Sequence, residues 1–125
     1  SIPAHLLFEP NGTGLMPEAD LWLKPMKKYA MASKPDYFRM LLVMHTDNTG
    51  SPEYTDELSL KRVDAIFERM AELGFDTSYI FPTAAGATDP IKPNNTVAGR
   101  DANRRLEVYL IPGKEMLEAA KKVAK

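Results

Sequence analysis

The 125-residue chain contains no cysteine. That excludes a disulfide framework and any thiolate metal site in this stretch, and leaves the redox compartment open. Long hydrophobic runs are missing as well. No apolar stretch approaches the ~20 residues that span a bilayer as a helix, so membrane insertion by this domain is not expected. Charge of one sign is also lacking: 16 Lys and Arg face 17 Asp and Glu, for a net charge of −1. The basic residues are interspersed with acids, which argues against a nucleic-acid partner or an anionic lipid surface. Any ligand charge must be met locally. There is no internal repeat and no low-complexity linker. The chain opens at Ser1-Ile2-Pro3 without a signal sequence. A leader, lipid-bearing or membrane segment is expected to lie outside these residues.

What remains is an ordinary globular composition, 44% hydrophobic and 26% charged. A chain of this length buries ~65–70% of its unfolded surface and builds a core without staples. Residues 1–112 are read as one domain. Residues 113–125 turn to Ala, Lys and Glu and are read as a helical extension of it.

Residues 5–9 form a short apolar run, expected as a first strand, and Pro10-Asn11-Gly12-Thr13-Gly14 has the residues of a loop. Pro17 suits the first position of a helix, with Glu18 and Asp20 in its first turn. Trp22, Met26, Tyr29 and Ala30 recur at helical spacing and are expected in the core, with Pro25 interrupting the helix. Residues 37–44 are nearly all apolar, as in a buried central strand. Thr55 is a plausible N-cap followed by Asp56 and Glu57. Val63, Ile66, Phe67 and Met70 mark a core-facing helix stripe that Gly74 closes. Residues 79–85 read as a strand that Pro82 assigns to a sheet edge, because proline cannot donate to a ladder. Residues 86–99 read as a loop. Leu106, Val108 and Leu110 then alternate with Arg105, Glu107 and Tyr109, so the last strand is expected to have one solvated face. The whole predicts an α/β fold: a two-layer sandwich, βαβαββ-like, with a mixed sheet of about four strands and helices on one face.

Two residues stand out for chemistry. Asp47 follows the central strand, and Arg62 lies 15 positions later in the next helix. A helix folded back beside the strand end brings both to one pocket. A carboxylate for an ammonium, next to a planar guanidinium for a carboxylate, is the simplest receptor for an amino-acid zwitterion. Leu58, one turn before Arg62, aims that arginine near the apolar boundary. The plainer reading competes: Asp47-Asn48-Thr49-Gly50 as a simple turn and Arg62 as a solvated helix charge. His45 has the chemistry of a base or metal ligand, but a histidine at a strand end is more often a hydrogen-bonded structural residue. Of Arg104 and Arg105, one is expected to face solvent and the other to brace the site, or both are surface charge.

The ordered motifs weigh against the plainer reading. His45-Thr46-Asp47-Asn48-Thr49-Gly50, then Tyr54, then Leu58-Ser59-Leu60-Lys61-Arg62, resembles the core motif of the OmpA-like C-terminal peptidoglycan-binding domain family. Gly99-Arg100 followed by Asn103-Arg104-Arg105-Leu106-Glu107-Val108 resembles that family's final signature. Gly86 to Ile91, Phe8-Glu9 and the stretch from Leu15 to Glu18 resemble its connecting loop, opening strand and helix start. Together these cover roughly positions 6–111.

The resemblance implies non-covalent binding of the diaminopimelate residue of peptidoglycan stem peptides, with Asp47 and Arg62 as the main ligand groups. It implies contacts from the opening loop near Phe8, Glu9 and Asn11, and a pocket position at Thr55. The sequence departs from the family at Met44, where glycine is usual, at Thr55, where asparagine is common, at Glu9, where aspartate is usual, and at Pro25.

The expectation is therefore a non-enzymatic module without cofactor or metal. Asp47, Arg62, Thr55, Leu58, Phe8, Glu9, Asn11 and Arg104 form its peptidoglycan site, and it is periplasmic and tethered to the outer membrane by a segment outside this chain. The alternative is an envelope protein–protein interaction module in which Asp47 and Arg62 form a merely structural pair.

Overall fold

A computed structural model describes residues 1–27 and 38–112. Tyr29 and Ala30 of the proposed helical stripe, and the extension at 113–125, lie outside the described residues. The strands are β1 (Ile2–Pro3), β2 (Phe38–His45), β3 (Ile80–Gly86) and β4 (Arg105–Pro112). The α-helices are α1 (Asp20–Leu23), α2 (Pro52–Glu72) and α3 (Val97–Asn103). The sheet order is β1-β4-β2-β3, with β2 parallel to β3 and antiparallel to β4, and β1 antiparallel to β4. This is the expected mixed four-stranded α/β sandwich.

β2 is central because β3 pairs with one of its edges and β4 with the other, and one of its faces packs into the core while Leu41 and Val43 on the other stay half-buried. Met40, Leu42 and Met44 alternate into the core. They meet Val63, Ile66 and Met70 of α2, with Leu7, Phe8, Leu23, Phe75, Ile80 and Leu106 around them. Pro82 lies on β3, the edge strand of the described sheet, opposite Leu42. An edge strand is where a missing N–H is tolerated, because only one side of it pairs.

α2 starts earlier than Thr55. Ser51 is the N-cap, its hydroxyl accepting from the Tyr54 amide at 3.1 Å, and Pro52 fills the first helical position, where no N–H is needed. Thr55 is buried inside the first turn and donates its hydroxyl to the Pro52 carbonyl. At the other end Gly74 adopts φ +90°, as anticipated, and Phe75 folds back onto Met70 through a 3.0 Å amide bond.

Other expectations are corrected. Residues 5–9 are not a strand. β1 lies just before them, a 3₁₀ turn at Ala4–Leu6 follows, and Phe8 makes a lone bridge with Leu15. The turn lets the adjacent Leu7 and Phe8 both point inward, which an extended strand forbids. The inward stripe of the first helical region is Ala19, Leu23 and Met26, while Trp22 is 43% exposed. α1 passes at Pro25 into a 3₁₀ turn, Lys24–Met26, which is the expected interruption.

The stretch read as a loop at 86–99 ends in α3, so a helix is added to the expected order. Thr96 caps it by accepting from the Gly99 amide at 2.9 Å. Gly99 is required there, since a Cβ would lie 1.9 Å from the Pro93 carbonyl oxygen. Arg105 is not on a solvated face. It is buried, bonded to Glu107 and to the carbonyls of Asn103 and Asp89.

Leu42 is fully buried at the centre of β2. Leu42→Ala is expected to cost about 2–5 kcal/mol of unfolding free energy, since the packed walls collapse only partly around the hole. Urea titration followed by circular dichroism measures it, and a loss below about 1 kcal/mol would contradict this packing.

Candidate functional site

β2 and β4 run antiparallel with His45 opposite Arg105. The residue pair just beyond that register, Asp47 after β2 and Arg104 before β4, therefore emerges at one end of the sheet. The N-terminal half of α2 and the opening loop close the other walls. The result is a cleft of about 390 Å³ whose lining includes Phe8, Glu9, Asn11, Asp47, Leu58, Arg62, Asp101 and Arg104.

Arg62 forms the inner wall and is only 3% exposed. Its Nε donates to the Gly12 carbonyl at 2.8 Å, its Nη2 to the Glu9 carbonyl at 3.3 Å, and its guanidinium lies 4.9 Å from the Phe8 ring centroid. A buried charge needs such acceptors, and the aromatic face adds a cation–π contact. Burial still pushes its pKa down from the ordinary arginine value, and a guanidinium stays charged in proteins.

The Asp47 carboxylate accepts from the Thr49 amide through Oδ1 at 2.8 Å and from Arg104 through Oδ2. Burial disfavours its charge, but the Thr49 bonds and the adjacent Arg104 outweigh that and hold its pKa below the ordinary aspartate value. Arg104 also reaches Asp101, with Nη2 3.3 Å from Oδ1.

Seven of the eight expected site residues, Asp47, Arg62, Leu58, Phe8, Glu9, Asn11 and Arg104, line this one cleft. Thr55 does not. It borders a smaller neighbouring cavity with Asn48, Gly50, Asp56 and Thr88. Asp47 and Arg62 share the cleft without bonding each other. Asp47 takes Arg104 as its ion-pair partner, and Arg62 takes the opening loop. Asp101 was not anticipated. Its signal was the three-residue spacing to Arg104, which has meaning only if a helix precedes β4. Tyr54 supports the rim by donating its hydroxyl to Asn11 Oδ1 at 3.3 Å.

His45 lies beneath the cleft, buried, with Nε2 3.3 Å from Glu107 Oε1 but neither ring nitrogen in hydrogen-bonding geometry. Burial, and then the nearby Arg105, lower its pKa against the pull of Glu107 and Asp89. It does not line the cleft. Among the described residues no three His, Asp or Glu side chains are grouped to hold a metal, and no helix is long and apolar enough to cross a membrane.

Fold and site together define a mixed-sheet α/β module with a charge-lined cleft at the strand ends. The chain belongs to the OmpA family, whose profile matches residues 7–104. It is 29% identical over 108 residues to Outer membrane protein A of Bordetella avium, covering 86% of this chain and 55% of that protein. It is 30% identical over 105 residues to the Peptidoglycan-binding protein ArfA of Mycobacterium tuberculosis, covering 84% of this chain and 32% of that protein. The chain thus spans only about half or less of the length of these relatives. Its fold matches the crystal structure of the peptidoglycan-associated lipoprotein from Burkholderia pseudomallei with a TM-score of 0.74. The identity there is 22%, over 85% of this chain and 88% of that one.

The lowered pKa of Asp47 has a consequence for stability. A carboxylate whose folded-state pKa is depressed stabilises the fold above its unfolded value, and that contribution is lost as pH falls through the folded value. For Asp47 the loss falls below the ordinary value of 3.8. Asp47→Asn is expected to flatten the dependence of Tm on pH in that acid range. Parallel acid limbs for parent and variant, read by thermal melts across pH 2–6, would contradict the assignment.

Proposed function

We propose that this domain binds peptidoglycan non-covalently through the diaminopimelate residue of the stem peptide, and so holds an envelope protein to the cell wall. The observation that carries the reading is the placement of a buried carboxylate, Asp47, and a buried guanidinium, Arg62, in one cleft without a bond between them. Each is held by the fold, and each keeps capacity for a ligand. Asp47 has carboxylate lone pairs beyond those used by Thr49 and Arg104. Among the described residues, Arg62 Nη1 takes no protein acceptor.

The free end of diaminopimelate is an amino-acid zwitterion. Its ammonium matches Asp47 and its carboxylate matches Arg62, in charge-assisted bonds sheltered from water. Leu58 and Phe8 supply an apolar wall for the methylene chain that leads to that head group. The names of the mycobacterial relative and of the Burkholderia lipoprotein agree with a wall ligand. The reading places the domain in the periplasm, with a tether supplied by a segment outside this chain. No bond is made or broken, and neither metal nor cofactor takes part.

Truncating one member of a desolvated, hydrogen-bonded charge set at an interface costs about 2–5 kcal/mol, at least tens-fold in affinity. Asp47→Ala and Arg62→Ala are each expected to lose that much binding to purified wall sacculi in a co-sedimentation assay. Because Arg62 also ties down the opening loop, its variant is to be checked for a cooperative melt, and Arg62→Lys, which keeps the charge but not the fork, is expected to bind weakly as well. Binding that survives chelator but disappears with Asp47 and Arg62 supports the reading. Parent-level binding by both alanine variants removes it.

A further inference from the structure

The two cations of the cleft are held differently. Arg62 is almost wholly buried and bonded to backbone carbonyls that do not move independently of the loop. The Arg104 side chain is 36% exposed and, among the described residues, bonds side chains only: Asp47 in the cleft and Asp101 at its rim. Asp101 is half exposed. Arg104 therefore straddles a deep carboxylate and a shallow one, and releasing the first leaves it the second.

Asp47 thus already has a cation beside it. A ligand ammonium approaching Asp47 meets the like charge of Arg104, which disfavours the encounter unless Arg104 withdraws or gains a new anion. We infer that Arg104 is the specificity-determining residue of the cleft, an internal counter-ion on Asp47 that bars a lone ammonium and admits one carrying a carboxylate on the same carbon. The inference rests on the zwitterion reading above and deepens it.

For a lone ammonium, such as a lysine side chain, binding either sets a second cation beside Arg104 on Asp47, where the two repel, or exchanges one cation for the other. Arg104 is left to the solvent-exposed Asp101, and the count of charge-assisted bonds does not rise. A zwitterionic head brings its own acceptor. The guanidinium displaced from Asp47 turns to the incoming carboxylate, and the pairs lost are replaced. Arg62 rewards the carboxylate, and Arg104 penalises its absence. Discrimination by leaving a charged group of the site unpaired is stronger than discrimination by fit alone.

The test compares two probes by calorimetric titration of the purified domain. One is meso-diaminopimelate. The other is Nα-acetyl-lysine methylamide, whose side-chain ammonium has no carboxylate beside it. The parent is expected to prefer diaminopimelate by at least about tenfold, the smallest factor expected when a charged site group is left without its partner. Arg104→Gln is expected to bind the lysine derivative several-fold more tightly than the parent, and so to narrow the preference. Arg104→Lys, which restores a cation at the rim, is expected to restore the preference in large part. Asp101→Asn removes the alternative acceptor, keeps Arg104 on Asp47, and is expected to widen the preference.

Unchanged affinity of Arg104→Gln for the lysine derivative, or an equal loss for both probes, overturns the inference, as does an unchanged or narrowed preference in Asp101→Asn. A parent domain that binds neither probe removes the zwitterion reading and this inference together. A parent that binds and selects, with Arg104 variants that select equally, removes this inference alone.

Discussion

The cleft depends on the burial of one guanidinium. Arg62 cannot be taken from water without acceptors, and α2 offers none, because its own carbonyls are spent in the helix. The acceptors come from the opening loop, as the carbonyls of Glu9 and Gly12, with the face of Phe8 laid beside the charge. That requirement joins a segment near the start of the chain to a helix some fifty residues later, and the space left between them is the cleft. The positive φ of Asn11 and the tight turn from Glu9 to Gly12 follow from the same need, since the loop must present its carbonyls inward.

The other wall is a matter of strand register. Asp47 and Arg104 are far apart in sequence, yet they leave adjacent antiparallel strands at the same end of the sheet. Below them the β2–β4 ladder itself joins the strand ends, with His45 opposite Arg105, and the Arg105–Glu107 ion pair lies beside the buried His45 ring. The Arg105 bonds to the Asn103 and Asp89 carbonyls fix the approach of the chain into β4. Asn103, wholly buried, bonds the amides of Ile91 and Lys92 and the Lys92 carbonyl, and so pins the loop that covers this end. Behind the site is a rigid polar brace, and the cleft side chains stand on it. A bidentate pair, Arg69 with Asp20, performs a joining task away from the cleft by holding α2 to α1.

Where periodicity was strong, the sequence was legible. The apolar run of β2, the stripe of Val63, Ile66 and Met70, the end of α2 at Gly74 and the edge position of Pro82 each follow from a local pattern that tertiary packing had no reason to override. The misreadings share a cause. Residues 5–9 are apolar enough for a strand, but two adjacent side chains must both turn inward, and a 3₁₀ turn does that. α3 presents no apolar stripe, with Val97 exposed and Gly99 pressed against Pro93, so its only signal was the Thr96 cap. Thr55 has the chemistry of a cap, but Ser51 and Pro52 lie earlier and suit the start better. In β4 burial fades along the strand instead of alternating, with Arg105 and Leu106 both buried and Tyr109 and Leu110 both exposed, because a loop covers only the end where Arg105 lies.

The sequence by itself determined the fold class and most of the residues expected together at one end of the sheet, because hydrophobic periods and closely spaced motifs are local properties. It brought Asp47, Arg62, Thr55, Leu58, Phe8, Glu9, Asn11 and Arg104 into one expectation, of which all but Thr55 line the cleft. Only the tertiary structure decided who pairs with whom. Asp47 turned to Arg104 because β2 and β4 deliver both to the same sheet end. Arg62 turned to the opening loop because a buried guanidinium takes the nearest carbonyls with acceptor capacity to spare, those of Gly12 and Glu9. Ion pairing depends on distances of a few ångströms between segments remote in the chain, and no spacing along the chain encodes those distances.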